Sequence, residues 1–199
     1  MDFWTTVVRQ PKRAWLLAAV IVLLGLPLHC AVKDLGRSTL PPTGSLSPVL
    51  QGPTLAGPAC EYDSVRDHGR VIVVAFLDPT QVSSVRQGEI LRAWREHYTE
   101  EEQRVVFVLV FTDGVYAQQS SFAAACGIPL EDVVIDRGGY RQKPFGFRRT
   151  PAIFVIDTTG NLRFAAEGVV DLRHKKFHRA VSEYRPTGRL TPRKTCPKS

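Results

Sequence analysis

Val71-Ile-Val-Val-Ala-Phe-Leu-Asp-Pro-Thr80 opens with seven apolar residues in a row and stops at three turn formers. Short, rich in β-branched side chains and sharply bounded, the run predicts a strand covered on both faces. Downstream, residues 82–102 carry Leu91, Trp94 and Tyr98 at helical spacing, widened by Ile90 and opposed by Arg92, Arg95 and Glu96, which predicts an amphipathic helix. A second buried strand is expected over 104–111, ending at Thr112-Asp-Gly114, and then a short helix over 118–126 stopped by Gly127 and Pro129. Residues 133–135 fit a third strand. Residues 152–157 and 162–166 flank the turn Thr158-Thr-Gly-Asn161 as a hairpin, and 172–184 closes the domain as a helix with Phe177, Ala180, Val181 and Tyr184 on one side. The order β-α-β-α-β-β-β-α implies an α/β fold: parallel strands joined by helices, with an antiparallel hairpin at the end.

Upstream the character of the chain changes. Residues 14–32 are apolar and follow Arg9, Lys12 and Arg13, the pattern of an export signal. Residues 14–28 alone suit a signal-peptide core, whereas the longer span approaches the roughly 20 residues that cross a bilayer. No small-x-small cleavage site stands out, so a transmembrane anchor is expected, with a cleaved signal peptide as the alternative. The positive charges then hold residues 1–13 in the cytoplasm and put the rest on the extracytoplasmic, periplasmic side of the cytoplasmic membrane, where disulfides persist. Residues 33–58, rich in Pro, Gly, Ser and Thr, read as a flexible linker. That leaves 59–185 as the folded domain and 186–199 as a basic, disordered tail.

The chain has 199 residues, 44% hydrophobic and 23% charged, enough for one packed domain. Its net charge of +7 sits at the ends, because residues 14–184 balance 18 basic against 18 acidic side chains. An electroneutral domain argues against a nucleic-acid groove, which needs Lys and Arg concentrated on the folded face. Cys30, Cys60, Cys126 and Cys196 form no CxxC and no Cys/His ligand spacing, so neither a metal site nor a cofactor is indicated. Cys126, after Ala123-Ala-Ala125 at a helix C-terminus, reads as a buried side chain. Cys60 and Cys196 read as exposed, free to pair with each other or with another chain, and Cys30 falls at the outer membrane boundary.

Together, Val71 to Thr80, the long helix after it, and Arg149-Thr150-Pro151-Ala-Ile-Phe-Val-Ile-Asp157 with Gly160 in its turn resemble the thioredoxin fold. The likeness is to the membrane-tethered thioredoxin-like and redoxin group of bacteria and covers residues 59–185. It implies a central mixed sheet flanked by helices, and it implies that Pro151 is a cis proline lining the substrate site. An X-Pro bond is the one kind for which the cis form costs little. Phe76-Leu-Asp-Pro-Thr80 also looks like the active-site entrance of the accessory thioredoxin-like protein of methylamine utilisation, where a CxxC follows.

Here the four positions after Thr80 are Gln81, Val82, Ser83 and Ser84, so both cysteines of that motif are missing. Dithiol exchange needs a thiolate at a helix N-terminus and a second thiol to resolve the mixed disulfide. A serine hydroxyl without a partnered base replaces neither, and His97 lies too far along the same helix to serve. The leading expectation is therefore a binding or assembly module for an extracytoplasmic protein or peptide. Its groove would be lined by Gln81 to Ser84, Arg149, Thr150 and Pro151. Arg137, Arg141, Lys143, Arg148 and Arg149 form a basic approach suited to an acidic partner, or simply a solvated face. Two other readings stay open: a thiol-disulfide oxidoreductase or antioxidant protein using Cys60, Cys126 or Cys196, and an accessory subunit of a membrane redox complex.

Overall fold

A computed structural model describes residues 39–184 apart from His68 and 100–103. Its elements are β1 (Gln51–Thr54), β2 (Gly57–Asp63), β3 (Val71–Leu77), α1 (Val82–Thr99), β4 (Val105–Phe111) and α2 (Tyr116–Ala125), then β5 (Val133–Ile135), α3 (Gln142–Phe145), β6 (Ala152–Ile156), β7 (Leu162–Glu167) and α4 (Lys175–Glu183). They form one seven-stranded sheet in the order β2-β1-β5-β4-β3-β6-β7. β3 pairs in parallel with β4, and β4 with β5, while β6 runs antiparallel to β3 and β7 to β6. The expected order from β3 onward holds, with the one-turn α3 added. The apolar run 14–32, residues 1–13 and the tail 186–199 lie outside the described residues. Among the described residues, no helix is long and apolar enough to cross a membrane.

Strand alternation divides the interior into two cores. Val71, Val73, Ala75 and Leu77 face one side, where α1 supplies Leu91, Trp94 and Tyr98, α2 supplies Ala123, and α4 supplies Phe177, Ala180 and Val181. Trp94 stacks on Phe177 with ring centroids 3.6 Å apart, so α1 and α4 meet over the sheet through aromatic faces. Ile72, Val74 and Phe76 face the other side, where α3 offers only Phe145, followed by Phe147. The Phe76 ring lies 5.0 Å from that of Phe145 and 4.6 Å from that of Phe147.

A helix of four residues cannot cover a sheet face, and this overturns the reading of 33–58 as a linker over its described part, 39–58. Leu50 and Tyr62 are fully buried in the second core and Leu40 packs against it. β1 and β2 form a hairpin that joins the sheet through Thr54 opposite Val134 and a bond from Leu55 N–H to the Val133 carbonyl, 2.9 Å. Further upstream, Gly44 and Ser45 exchange backbone hydrogen bonds with Leu162 at 2.6 and 2.8 Å. The folded domain thus begins well before residue 59. Burying large apolar side chains of this kind contributes roughly 1.5–3 kcal/mol each, more than a tether could forgo.

Candidate functional site

The register of β6 on β3 places Ala152 opposite Phe76, so Thr150 and Pro151 face the turn where β3 gives way to α1. The Thr150–Pro151 peptide bond is cis. The Pro151 carbonyl accepts the Gly168 N–H at 2.8 Å, and the Val170 N–H donates to the Gln87 Oε1 at 2.7 Å. Gln87 is fully buried on α1, so this bond ties the loop after β7, and through it Pro151, to the helix. The proline loop is therefore held from two sides by elements that the core itself fixes.

Asp78 organises the opposite wall. Its Oδ1 accepts the Thr80 N–H at 2.9 Å and the Thr80 hydroxyl at 2.6 Å, an arrangement in which aspartate shapes its own turn. Its Oδ2 accepts Nε2–H of Gln81 at 2.7 Å. The Gln81 Oε1 in turn accepts the Thr150 hydroxyl at 3.0 Å. Gln81 thus spans the cleft by its side chain, while its carbonyl takes the first helical bond, from Val85 N–H at 3.0 Å.

Of the positions expected to line the groove, Gln81 and Val82 are exposed and Thr150 meets Gln81, but Ser84 does not belong there. It is fully buried, and its Oγ accepts the Asp78 N–H at 3.1 Å, so its place is that of a structural cap at the end of β3. Pro151 is buried, with Arg148 and Arg149 exposed beside it; the Arg148 N–H donates to the Glu167 carboxylate. Arg141 leaves the basic approach altogether. Its guanidinium donates to the Gln51 carbonyl at 2.5 Å and the Ile135 carbonyl at 3.2 Å, and it lies 3.5 Å from buried Asp136. Asp78 and Gln87 join the site beyond the residues that the sequence points to. The Asp-Pro-Thr turn signalled the first; nothing local signals the second.

Cys126 is buried, as its position predicts, and its Sγ approaches the Gly88 carbonyl at 3.5 Å. Burial pushes its pKa up to about 12, against a smaller opposing pull from Arg92, so it is a protonated core side chain near neutrality. Cys60 lies within β2, and Cys30 and Cys196 fall outside the described residues. Asp157, buried at the turn after β6, has a carboxyl that burial alone would raise. Hydrogen bonds from Asn161, Thr159 and Arg163 outweigh that and hold it below the usual carboxylate range. It is a turn anchor.

The fold is thioredoxin-like. Solved structures bear the likeness out: a thioredoxin-family thiol:disulfide interchange protein from Chlorobium tepidum superposes with a TM-score of 0.58 at 18% identity, over 70% of this chain and 95% of that one. The thioredoxin domain of a thiol-disulfide oxidoreductase from Bacteroides vulgatus gives 0.59 at 14%, over 71% and 99%. A secreted Mycobacterium tuberculosis disulfide oxidoreductase homologous to E. coli DsbE gives 0.56 at 15%, over 67% and 95%. No protein-family model matches this chain, and no curated protein sequence does.

Proposed function

We propose that the domain binds an extended segment of a partner polypeptide in the cleft between Gln81 and Pro151 and performs no dithiol chemistry there. The observation that carries this reading is Gln81 itself. An amide occupies the helix start where a thiolate would be needed, and it is engaged on both sides by Asp78 and Thr150. Val82, 86% exposed at the helix start, and Val169, in the loop tied to Pro151, offer apolar contacts at the rim. Arg148 and Arg149 add positive charge, which favours an acidic segment. Backbone pairing beside Pro151 would supply affinity in the manner of strand addition. Under the same reading, residues 14–32 anchor the domain to the cytoplasmic membrane on its extracytoplasmic side.

A second reading is favoured by the solved structures of like fold, which are named for thiol-disulfide exchange. It assigns the chemistry to a thiol outside the Gln81–Ser84 turn, Cys60 being the candidate on a described strand. Incubating the full-length chain with a model protein disulfide separates the two. The binding reading expects no exchange, and a photo-crosslinker at Val82 whose partner adduct disappears in the Pro151→Ala variant. Exchange that vanishes in Cys60→Ser would establish the second reading instead.

A further inference from the structure

We propose that a separate crevice, between the β1–β2 turn and the start of α2, binds a small apolar carboxylate, with Arg137 as its anion partner. The crevice has a volume of about 400 Å³, opens to the surface, and is lined by Pro53, Leu55 and Ile135 together with Tyr116, Arg137 and Arg141. That volume lies within the range of small-molecule sites, which are apolar cavities carrying a few placed polar groups. Neither Gln81 nor Pro151 lines it, so the inference stands apart from the reading of the cleft.

The two arginines differ in what they have left to give. Arg141 is committed to the Gln51 and Ile135 carbonyls and to Asp136, and so forms a fixed wall. Arg137 is exposed and makes no hydrogen bond or ion pair with any described residue. No carboxylate lines the crevice. An unmatched guanidinium beside apolar walls draws an anion, and its planar fork suits a carboxylate in two-point contact. Tyr116, 59% exposed and lining the crevice, supplies an aromatic side chain against which an aryl group can pack. A single free cation among apolar walls selects a monoanion, because a phosphate dianion would keep a charge unmatched where water is displaced. The walls are already in place: Leu55 is bonded to Val133, Thr54 is paired with Val134, and Arg141 holds β1 against β5.

The test is a titration of the full-length chain with phenylacetate and with phenylacetamide, read by backbone amide shifts. The acid should move the amides of Leu55, Tyr116 and Ile135 and bind about tenfold more tightly than the amide, the gain expected of one charge-assisted contact. Arg137→Gln, a change at an exposed position, should bring the two ligands to equal, weak binding. Equal binding of both by the natural chain would overturn the proposal, as would shifts centred on other residues or an Arg137→Gln variant that binds the acid unchanged.

Discussion

The Thr150 hydroxyl donates to the Gln81 side chain across the cleft at 3.0 Å, joining the proline loop to the start of α1 by a bond that no cysteine at position 81 could make in the same way. The second half of the same amide holds Asp78 at 2.7 Å. Gln81→Ala removes both bonds at an exposed position, so global stability should fall by about 1 kcal/mol or less. The local consequence should be larger. Hydrogen exchange at the Gly168 amide, which donates to the Pro151 carbonyl, should accelerate, while that of Val110 in the central strand stays unchanged. Unaltered protection at Gly168 would show that Gln81 does not tie the two walls together.

Placing thiols at positions 81 and 84 tests whether this turn can support dithiol geometry. In Gln81→Cys/Ser84→Cys, the first thiol sits at the start of an 18-residue helix, where the dipole favours its thiolate, and the second replaces a side chain that is already inside. The double variant should exchange with a protein disulfide at neutral pH where the natural chain does not. Activity should be lost again when either new thiol is capped by reversion. A double variant that folds yet remains inert would mean that the Asp78-to-Gln81 turn differs from that of a working dithiol site.

How much of this was legible follows from what each segment has to pack against. Val71–Leu77 and Val105–Phe111 are buried at every position, so an unbroken apolar run identifies them without any alternation to read. Leu91, Trp94 and Tyr98 announce α1 because the helix is covered on one side only. β1 is different: its inward positions are Gly52 and Thr54, small or polar residues that look like a loop. Its partner strand is recognisable only through Tyr62, whose burial depends on a sheet face that helices leave open. A count of covering elements would have found the gap, since three helices over one face and a single turn over the other cannot close the sheet. At the site, the absence of cysteine from positions 81–84 is plain in the residues, but the inward turn of Ser84 and the bridging role of Gln81 depend on Asp78 being fixed by its own turn.

Cys126 gives a pH signature that separates a core thiol from a reactive one. Its folded pKa of about 12 lies above the ordinary 9.0, so the folded state holds the proton more tightly than the unfolded state. The stabilisation is complete below the unfolded value and drains away as pH rises from about 9 toward 12. The natural chain should therefore lose stability over that alkaline range faster than Cys126→Ala, which has no thiol to titrate. Near pH 8, alkylation of Cys126 should proceed only as fast as the protein opens. Rapid labelling at Cys126 itself in the folded chain, or parallel alkaline curves for the two proteins, would contradict the burial that defines this residue.

Arg141 is the residue on which charge counting and structure part company, and its removal has a distinct signature. Arg141→Ala deletes the donors to the Gln51 and Ile135 carbonyls and takes the cation away from Asp136, whose carboxylate is fully buried. Asp136 keeps the backbone N–H groups of Arg141 and Gln142, at 3.0 and 2.9 Å, so the loop after β5 retains its anchor. The loss should be of the order of 2 kcal/mol, typical of hydrogen bonds to a charged group. It should fall unevenly: β1 meets β5 through one paired position and one neighbouring bond, so its amides should exchange faster while those of β3 and β4 report only the global change. Arg149→Ala, at an exposed position of the same basic stretch, should leave stability within about 0.5 kcal/mol of the natural chain. If the two substitutions proved equally harmless in thermal unfolding, Arg141 would return to the solvated basic face where its charge alone had placed it.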